Sequence, residues 1–191
     1  IIGGLPENGR FSNFNWSPNE TFMAFTNTTM RGVELWILDI NKAQAMRLTE
    51  DNLNANLGRP FLWSANNTEL LVKVLPQNKK ELIDKTVSIP SGPTISTADG
   101  RKAQNRTYQD LLKDKDDEFN FEQLCLSDLY LVNIDGSKRL WKETAMYDDI
   151  DYSPDGEYVL VTTIHKPFSY IVPLNRFPSK TMIYNKEGNL V

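Results

Sequence analysis

The chain's single histidine, His165, is the residue whose type could most directly serve catalysis. A histidine acts as a general base when it lies beside a serine and is oriented by a carboxylate. In α/β-hydrolases that serine stands in a Gly-x-Ser-x-Gly turn between a strand and a helix, and this sequence contains no such motif. The sequence therefore predicts no catalytic residue in this chain, and it favours a structural or surface role for His165.

Alternating carboxylates at Asp114, Asp116 and Glu118 match the first positions of an EF-hand calcium loop. The glycine that such a loop needs at its sixth position does not follow them, so an acidic helix start is favoured over a calcium site. The Gly3-Gly4 pair is not followed by the Lys-Ser or Lys-Thr pair of a phosphate-binding loop. We therefore expect neither a metal nor a cofactor.

Basic side chains are the remaining candidates for contact with a substrate: Arg59, Arg106, His165 and Arg176. A guanidinium binds a carboxylate through two parallel hydrogen bonds, so a group of arginines could hold an acidic peptide. The alternative is that each residue pairs with a nearby acid, as Arg106 could pair with Asp110 one helical turn along. For each residue taken singly, this local pairing is the favoured interpretation.

Composition and charge exclude several classes of protein. The 191 residues are 40% hydrophobic and 24% charged, with a net charge of −4. This mild acidity argues against nucleic acid as a partner, and no apolar run approaches the ~18 residues of a membrane helix. The single cysteine, Cys125, excludes an intrachain disulfide. We expect a soluble chain without a signal peptide, and the sequence leaves the compartment open between bacterial periplasm or secretion and, if the N-terminus was trimmed, the cytoplasm.

Three short stretches repeat one pattern and would position these residues: Trp16–Glu20, Trp63–Asn67 and Tyr152–Gly156. Each is an aromatic residue followed by a turn tetrad and then by an apolar run. In the last copy, Ser-Pro-Asp-Gly fits a type I turn, where proline presets φ and glycine tolerates the exit. Strand–turn–strand units that recur every 40–50 residues or so are typical of β-propeller blades.

The spacing of the repeats predicts how the chain divides. Trp63 and Tyr152 are almost twice as far apart as Trp16 and Trp63, so we expect the second blade to be split by an insertion. The predicted fold is all-β, a partial propeller of about three four-stranded blades, with a mixed loop and helical insertion in the second blade. Its predicted divisions are blade one at 1–53, blade two at 54–141 with the insertion at 76–128, and blade three at 142–191.

Within the insertion, Thr107 and Asp110 predict the start of one helix, because their spacing resembles a capping box. A second short helix is predicted from Asp116 or Asp117 to Cys125. Three blades cannot close a ring, so we expect the chain to be the front part of a longer protein.

Propeller geometry predicts that three connections share one end of the blades: 49–60, 76–128 and 165–180. We call this end the loop face. It would bring the four basic candidates to one side of the molecule, where they could meet an acidic peptide.

Longer motifs carry a family resemblance. Ser91-Gly92-Pro93, the run from Arg106 to Asp114, and Ser169–Pro173 followed by Arg176-Phe177-Pro178 resemble the propeller region of glutamyl endopeptidases, relatives of prolyl oligopeptidase. The resemblance implies that an α/β-hydrolase domain with a Ser-Asp-His triad follows beyond residue 191, and that the enzyme cleaves after acidic residues. No triad residue can be carried over onto this chain.

We therefore expect a non-catalytic propeller segment of a serine peptidase, which gates the access of peptides to a downstream hydrolase domain. Its expected partners are peptide substrates and that hydrolase domain. An alternative is a stand-alone, TolB-like propeller that binds proteins or peptides as a scaffold. A terminal blade would leave an apolar sheet face exposed where the next blade should pack, so the fragment is expected to be only marginally stable or to self-associate.

Overall fold

The computed structural model describes residues 1–86, 100, 108 and 111–191. These residues form three antiparallel sheets, one α-helix and one 3-10 turn. The first sheet contains β1 (Phe11–Trp16), β2 (Phe22–Thr28), β3 (Val33–Asp39) and β4 (Gln44–Arg47). The second contains β5 (Phe61–Trp63), β6 (Glu69–Val74), β7 (Ser127–Asn133) and β8 (Lys138–Ala145). The third contains β9 (Tyr147–Tyr152), β10 (Tyr158–Ile164) and β11 (Ser179–Asn185), and the helical elements are α1 (Lys115–Cys125) and Leu174–Arg176.

Each sheet is a meander in which strands that follow one another along the chain lie side by side. β6 pairs with β7 from Glu69↔Asn133 to Val74↔Asp128, although residues 75–126 separate the two strands in the sequence. The all-β, partial-propeller fold is therefore confirmed. The third sheet differs in having three strands, because Leu190 returns along β11 through only a single bridge to Tyr184. The exact blade boundaries stay predictions.

The repeated tetrads form tight turns, as the sequence predicts. The Gly156 amide donates to the Ser153 carbonyl at 2.8 Å, and Gly156 has a φ of 74°. Asn67 and Glu20 occupy the equivalent positions with φ values of 64° and 60°. A Cβ on Gly156 would lie 2.6 Å from the Ala65 Cβ, so glycine is needed where the turns of the second and third sheets meet.

The core lies between neighbouring sheets, where the alternating apolar residues of the strands meet. Ala24, Leu35 and Ile37 of the first sheet pack against Trp63 and Val72 of the second. The opposite face of the second sheet packs on the third through a further cluster. Its members are Leu71, Leu129, Leu131, Trp141, Tyr147, Ile150, Val159 and Val161. Sheet-on-sheet burial is the arrangement expected of propeller blades.

The outer face of the third sheet is partly apolar and exposed. Tyr158, Leu160 and Ile183 are 44%, 42% and 47% exposed there. Leu160 pairs with Ile183 on one side and with the charged Asp151 on the other. The exposed face is thus a mixed surface.

Helix α1 confirms the helix predicted from Asp116 or Asp117 to Cys125. The helix start predicted at Thr107 and Asp110 lies outside the described residues. Within the described part of the chain, no helix is long and apolar enough to cross a membrane.

Candidate functional site

The three segments of the loop face contact one another, as the sequence predicts. Leu57 comes from the connection before β5, Cys125 from α1, and Phe177 from the connection between β10 and β11. All three are buried in one apolar cluster. The cluster is completed by Leu112, Phe121, Leu126, Met146, Ile164, Phe168 and Val172. The described residues of the three segments therefore pack together over the ends of the second and third sheets.

Asn54 joins the first of these segments to the helix. Its side chain is 2% exposed, and its amide nitrogen donates to the carbonyls of Leu124 and Leu126, at 2.9 Å each. Its side-chain oxygen accepts from the Asn56 amide at 3.0 Å. The last carbonyls of a helix have no partner within the helix, so Asn54 supplies the missing donor.

Two polar contacts join the helix to the β10–β11 connection. The Tyr170 hydroxyl donates to Glu118 at 2.6 Å, and the Lys166 ammonium lies 2.8 Å from Glu122. Hydrogen bonds from Lys115 and then from Tyr170 lower the pKa of Glu118. Tyr170 belongs to the Ser169–Pro173 motif, so this part of the motif has a structural role in fixing the connection onto α1.

The alternating carboxylates lie at the start of α1. Asp114 is the N-cap, and its side chain accepts from the amides of Asp116 and Asp117 at 3.0 Å each. Its hydrogen bond with Lys85, at 2.7 Å, lowers the pKa of Asp114. In the part of the chain that the structure describes, no group of three or more His, Cys, Asp or Glu residues is placed to hold a metal ion.

An apolar pocket of about 350 Å³ opens on the loop face. Its lining residues are Leu111, Leu112, Phe121, Val172, Pro173, Leu174 and Phe177. Arg176 stands between Leu174 and Phe177 in the 3-10 turn, and its side chain is exposed. Within the described residues, Arg176 has no ion pair. The walls of the pocket are apolar, and Arg176 is not among its lining residues although its chain neighbours Leu174 and Phe177 are.

Arg59 has local partners instead. One guanidinium nitrogen donates to the Ile150 carbonyl at 3.0 Å and lies 3.6 Å and 3.7 Å from Asp149 and Asp151. These contacts tie the connection before β5 to strand β9. Arg106 lies outside the described residues.

His165 begins the β10–β11 connection. Its Nε2 lies 2.8 Å from the Thr163 hydroxyl, and its amide donates to the Pro178 carbonyl at 2.8 Å. The imidazole lines a separate small cleft with Lys142 and Lys180. The structure thus places His165 and Arg176 on one connection but does not bring them into one pocket.

Lys73 is a buried residue that the sequence prediction missed. Its side chain is 2% exposed, and its ammonium donates to the carbonyls of Leu57 at 2.8 Å, Tyr147 at 2.6 Å and Asp148 at 3.3 Å. Burial lowers the pKa of Lys73 to about 8, although the negative charges of Asp148 and Asp149 act to raise it. The signal was a single lysine within the apolar run Leu70–Val74.

Comparison with known proteins identifies relatives of the chain. No family model matches it. Over 201 residues it is 35% identical to "Probable glutamyl endopeptidase, chloroplastic" of Oryza sativa subsp. japonica, covering 100% of this chain and 21% of that protein. The protein of the same name from Arabidopsis thaliana is 34% identical over 199 residues, covering 100% of this chain and 20% of that protein. The chain therefore spans about a fifth of the length of these relatives.

Among solved structures, a protein described as TolB from Agrobacterium tumefaciens superposes with a TM-score of 0.50 at 12% identity. The match covers 97% of this chain and 47% of that protein. At this identity the likeness concerns the fold alone, and it agrees with the three meander sheets. The sequence match and the fold together lead to one conclusion: the chain is a β-propeller segment related over its whole length to glutamyl endopeptidases.

Proposed function

We propose that the chain is the non-catalytic propeller segment of a serine peptidase of the glutamyl endopeptidase kind. The observation that carries the proposal is the 35% identity over the whole chain to a protein of that name. The sequence has no nucleophile turn of its own, so the reacting serine would belong to a hydrolase domain beyond residue 191. The TolB-like alternative has no comparable sequence match, since 12% identity supports the fold only.

The role proposed for the loop face is to meet the hydrolase domain and to restrict access to it. Its three segments are fastened to one another by buried apolar contacts and by Asn54, Tyr170 and Lys166. A layer fixed in this way presents a constant surface to a neighbouring domain. A folded protein could not pass such a layer, whereas an extended peptide could reach the active site beside it.

Arg176 is the proposed contact for acidic peptides. It is exposed, its chain neighbours Leu174 and Phe177 line the apolar pocket, and no carboxylate among the described residues forms an ion pair with it. Such a cation attracts negative peptides during encounter more than it stabilises the bound complex. Arg59 is less suited to this role because Asp149 and Asp151 already face it.

A fluorophosphonate probe tests the peptidase assignment. In the full-length protein that carries this chain, we expect the probe to label one serine beyond residue 191. Peptide mapping of the labelled protein locates that serine. An active, folded full-length protein that takes up no probe would contradict the proposal.

Arg176→Ala in the full-length protein tests the role of the loop face. We expect kcat/KM for an acidic peptide to fall by about threefold, the scale of one exposed ion pair. The effect should shrink in high salt, where the Debye length is about 3 Å at 1 M. A neutral peptide of the same length should be cleaved unchanged.

Arg139→Ala is the matched control, because Arg139 is exposed at the start of β8, at the opposite end of the sheets. It removes the same charge from the protein without touching the loop face. Equal losses in the two variants, or equal losses for acidic and neutral peptides, would leave Arg176 without a role in recognition.

A further inference from the structure

A small cleft opens at the joint between the second and third sheets, away from the apolar pocket of the loop face. Its volume is about 200 Å³. Lys142 reaches it from β8, Thr163 from β10 and Lys180 from β11, and His165 lies just after β10. The side chains of Met182 and Tyr184 form part of an apolar wall.

The charge of this cleft is one-sided. Two lysines and a histidine line it, and none of its lining residues is acidic. In the described part of the chain, neither Lys142 nor Lys180 forms an ion pair with a carboxylate. Other lysines, such as Lys85 and Lys186, do pair with carboxylates. Charges of one sign in a concave site with apolar walls produce a concentrated local potential.

Local contacts hold the basic groups in place without neutralising them. The Lys142 ammonium lies 4.1 Å from the centre of the Tyr184 ring, within the range of a cation–π contact. The imidazole of His165 is oriented by the Thr163 hydroxyl at 2.8 Å. The Thr163 hydroxyl also lies 3.3 Å from the carbonyl of Lys180, its cross-strand partner on β11.

We propose that Lys142, Lys180 and His165 form a binding cleft for one oxyanion group, either the carboxylate of an acidic peptide or a phosphate. The volume suits one such group and excludes a whole peptide, so a peptide would insert only a side chain or its terminus. The inference concerns binding alone and does not depend on the proposed peptidase function.

Calorimetric titration of the chain tests the proposal with three ligands: inorganic phosphate, Ac-Ala-Glu-Ala-NH2 and the uncharged Ac-Ala-Gln-Ala-NH2. The variant K142M/K180M should bind the anionic ligands about tenfold more weakly, because it loses two charge contacts of the strength of exposed ion pairs. The matched control K79M/K80M removes the same two charges from residues between β6 and α1, outside the cleft. We expect its affinity to be that of the unmodified chain.

Binding of the glutamate peptide but not the glutamine peptide would identify a carboxylate site, and binding of phosphate alone would identify a phosphate site. Both results support the cleft if K142M/K180M weakens that binding about tenfold and K79M/K80M does not. Equal weakening in both double variants, or no binding of either anion, would overturn it. Should K142M/K180M fail to fold, NMR on the unmodified chain decides, because His165 is its only histidine. Its ring signals must shift with phosphate and must not shift with an equal concentration of chloride salt; any other result refutes the site.

Discussion

Lys73 gives the most specific prediction, because its charge is buried where three segments meet. In the unfolded chain a lysine side chain has a pKa of 10.5. In the folded protein, burial lowers the pKa of Lys73 to about 8. Between these two values the unfolded state binds more protons, so the free energy of unfolding rises with pH. The full difference corresponds to roughly 3 kcal/mol, gained between about pH 8 and pH 10.5.

The perturbation is Lys73→Met, which keeps an unbranched side chain of similar length but cannot bind a proton. Urea unfolding at a series of pH values gives the free energy of unfolding of both proteins. The free energy of unfolding of the unmodified chain minus that of the variant should increase with pH by up to about 1.4 kcal/mol per pH unit. Taking the difference matters because Cys125, whose pKa burial raises to about 11, makes the folded state less stable as pH rises above 9.

Lys80→Met is the control for this experiment, since Lys80 is exposed. Its stability should follow that of the unmodified chain at every pH. If the curves of Lys73→Met and the unmodified chain are parallel from pH 7.5 to pH 10, the reasoning about the buried ammonium is refuted.

Two further predictions concern the loop face. Asp114→Ala removes the N-cap of α1 and should lower the free energy of unfolding by about 1 kcal/mol, while Asp114→Asn, which can still cap, should cost less; equal losses in denaturant unfolding would contradict the capping role. Gly58→Ala should cost about 2–4 kcal/mol, because Gly58 has a φ of 58° and a Cβ there would clash with the Asp148 carbonyl. The control Gly136→Ala has a φ of 87° with open space around it, so only a conformational cost of about 1 kcal/mol is expected; similar melting temperatures for the two variants would refute the clash.

The local part of the fold could be predicted from the sequence. Turns such as Ser153–Gly156 depend on residues next to one another, and the start of α1 depends on a capping side chain one position away. Strand β8 was not predicted, because Lys138–Ala145 shows little alternation and is stabilised by pairing with β7. Pairing of this kind is a tertiary contact and leaves only a weak pattern in the strand itself.

The candidate site was predicted less completely, because its contacts join distant parts of the chain. Propeller geometry indicated that three connections share one end, and the buried cluster around Phe177 confirms it. The carboxylates that face Arg59 come from β9, about ninety residues away in sequence, so spacing could not reveal them. The cleft of Lys142 and Lys180 could not be predicted from spacing for the same reason, because its residues come from different sheets.

The pairing of β6 with β7 has an evolutionary consequence. Val74 and Asp128 are neighbours in the sheet, so residues 75–126 leave and re-enter at nearly the same point. Doubling the length of a flexible connection adds only about 0.6 kcal/mol to the entropic cost of closing the loop. Insertions and deletions between these two strands are therefore expected to be nearly neutral for the sheet. What limits this tolerance is the short stretch from Asp114 to Leu126, whose loss would uncover the apolar cluster beneath the helix.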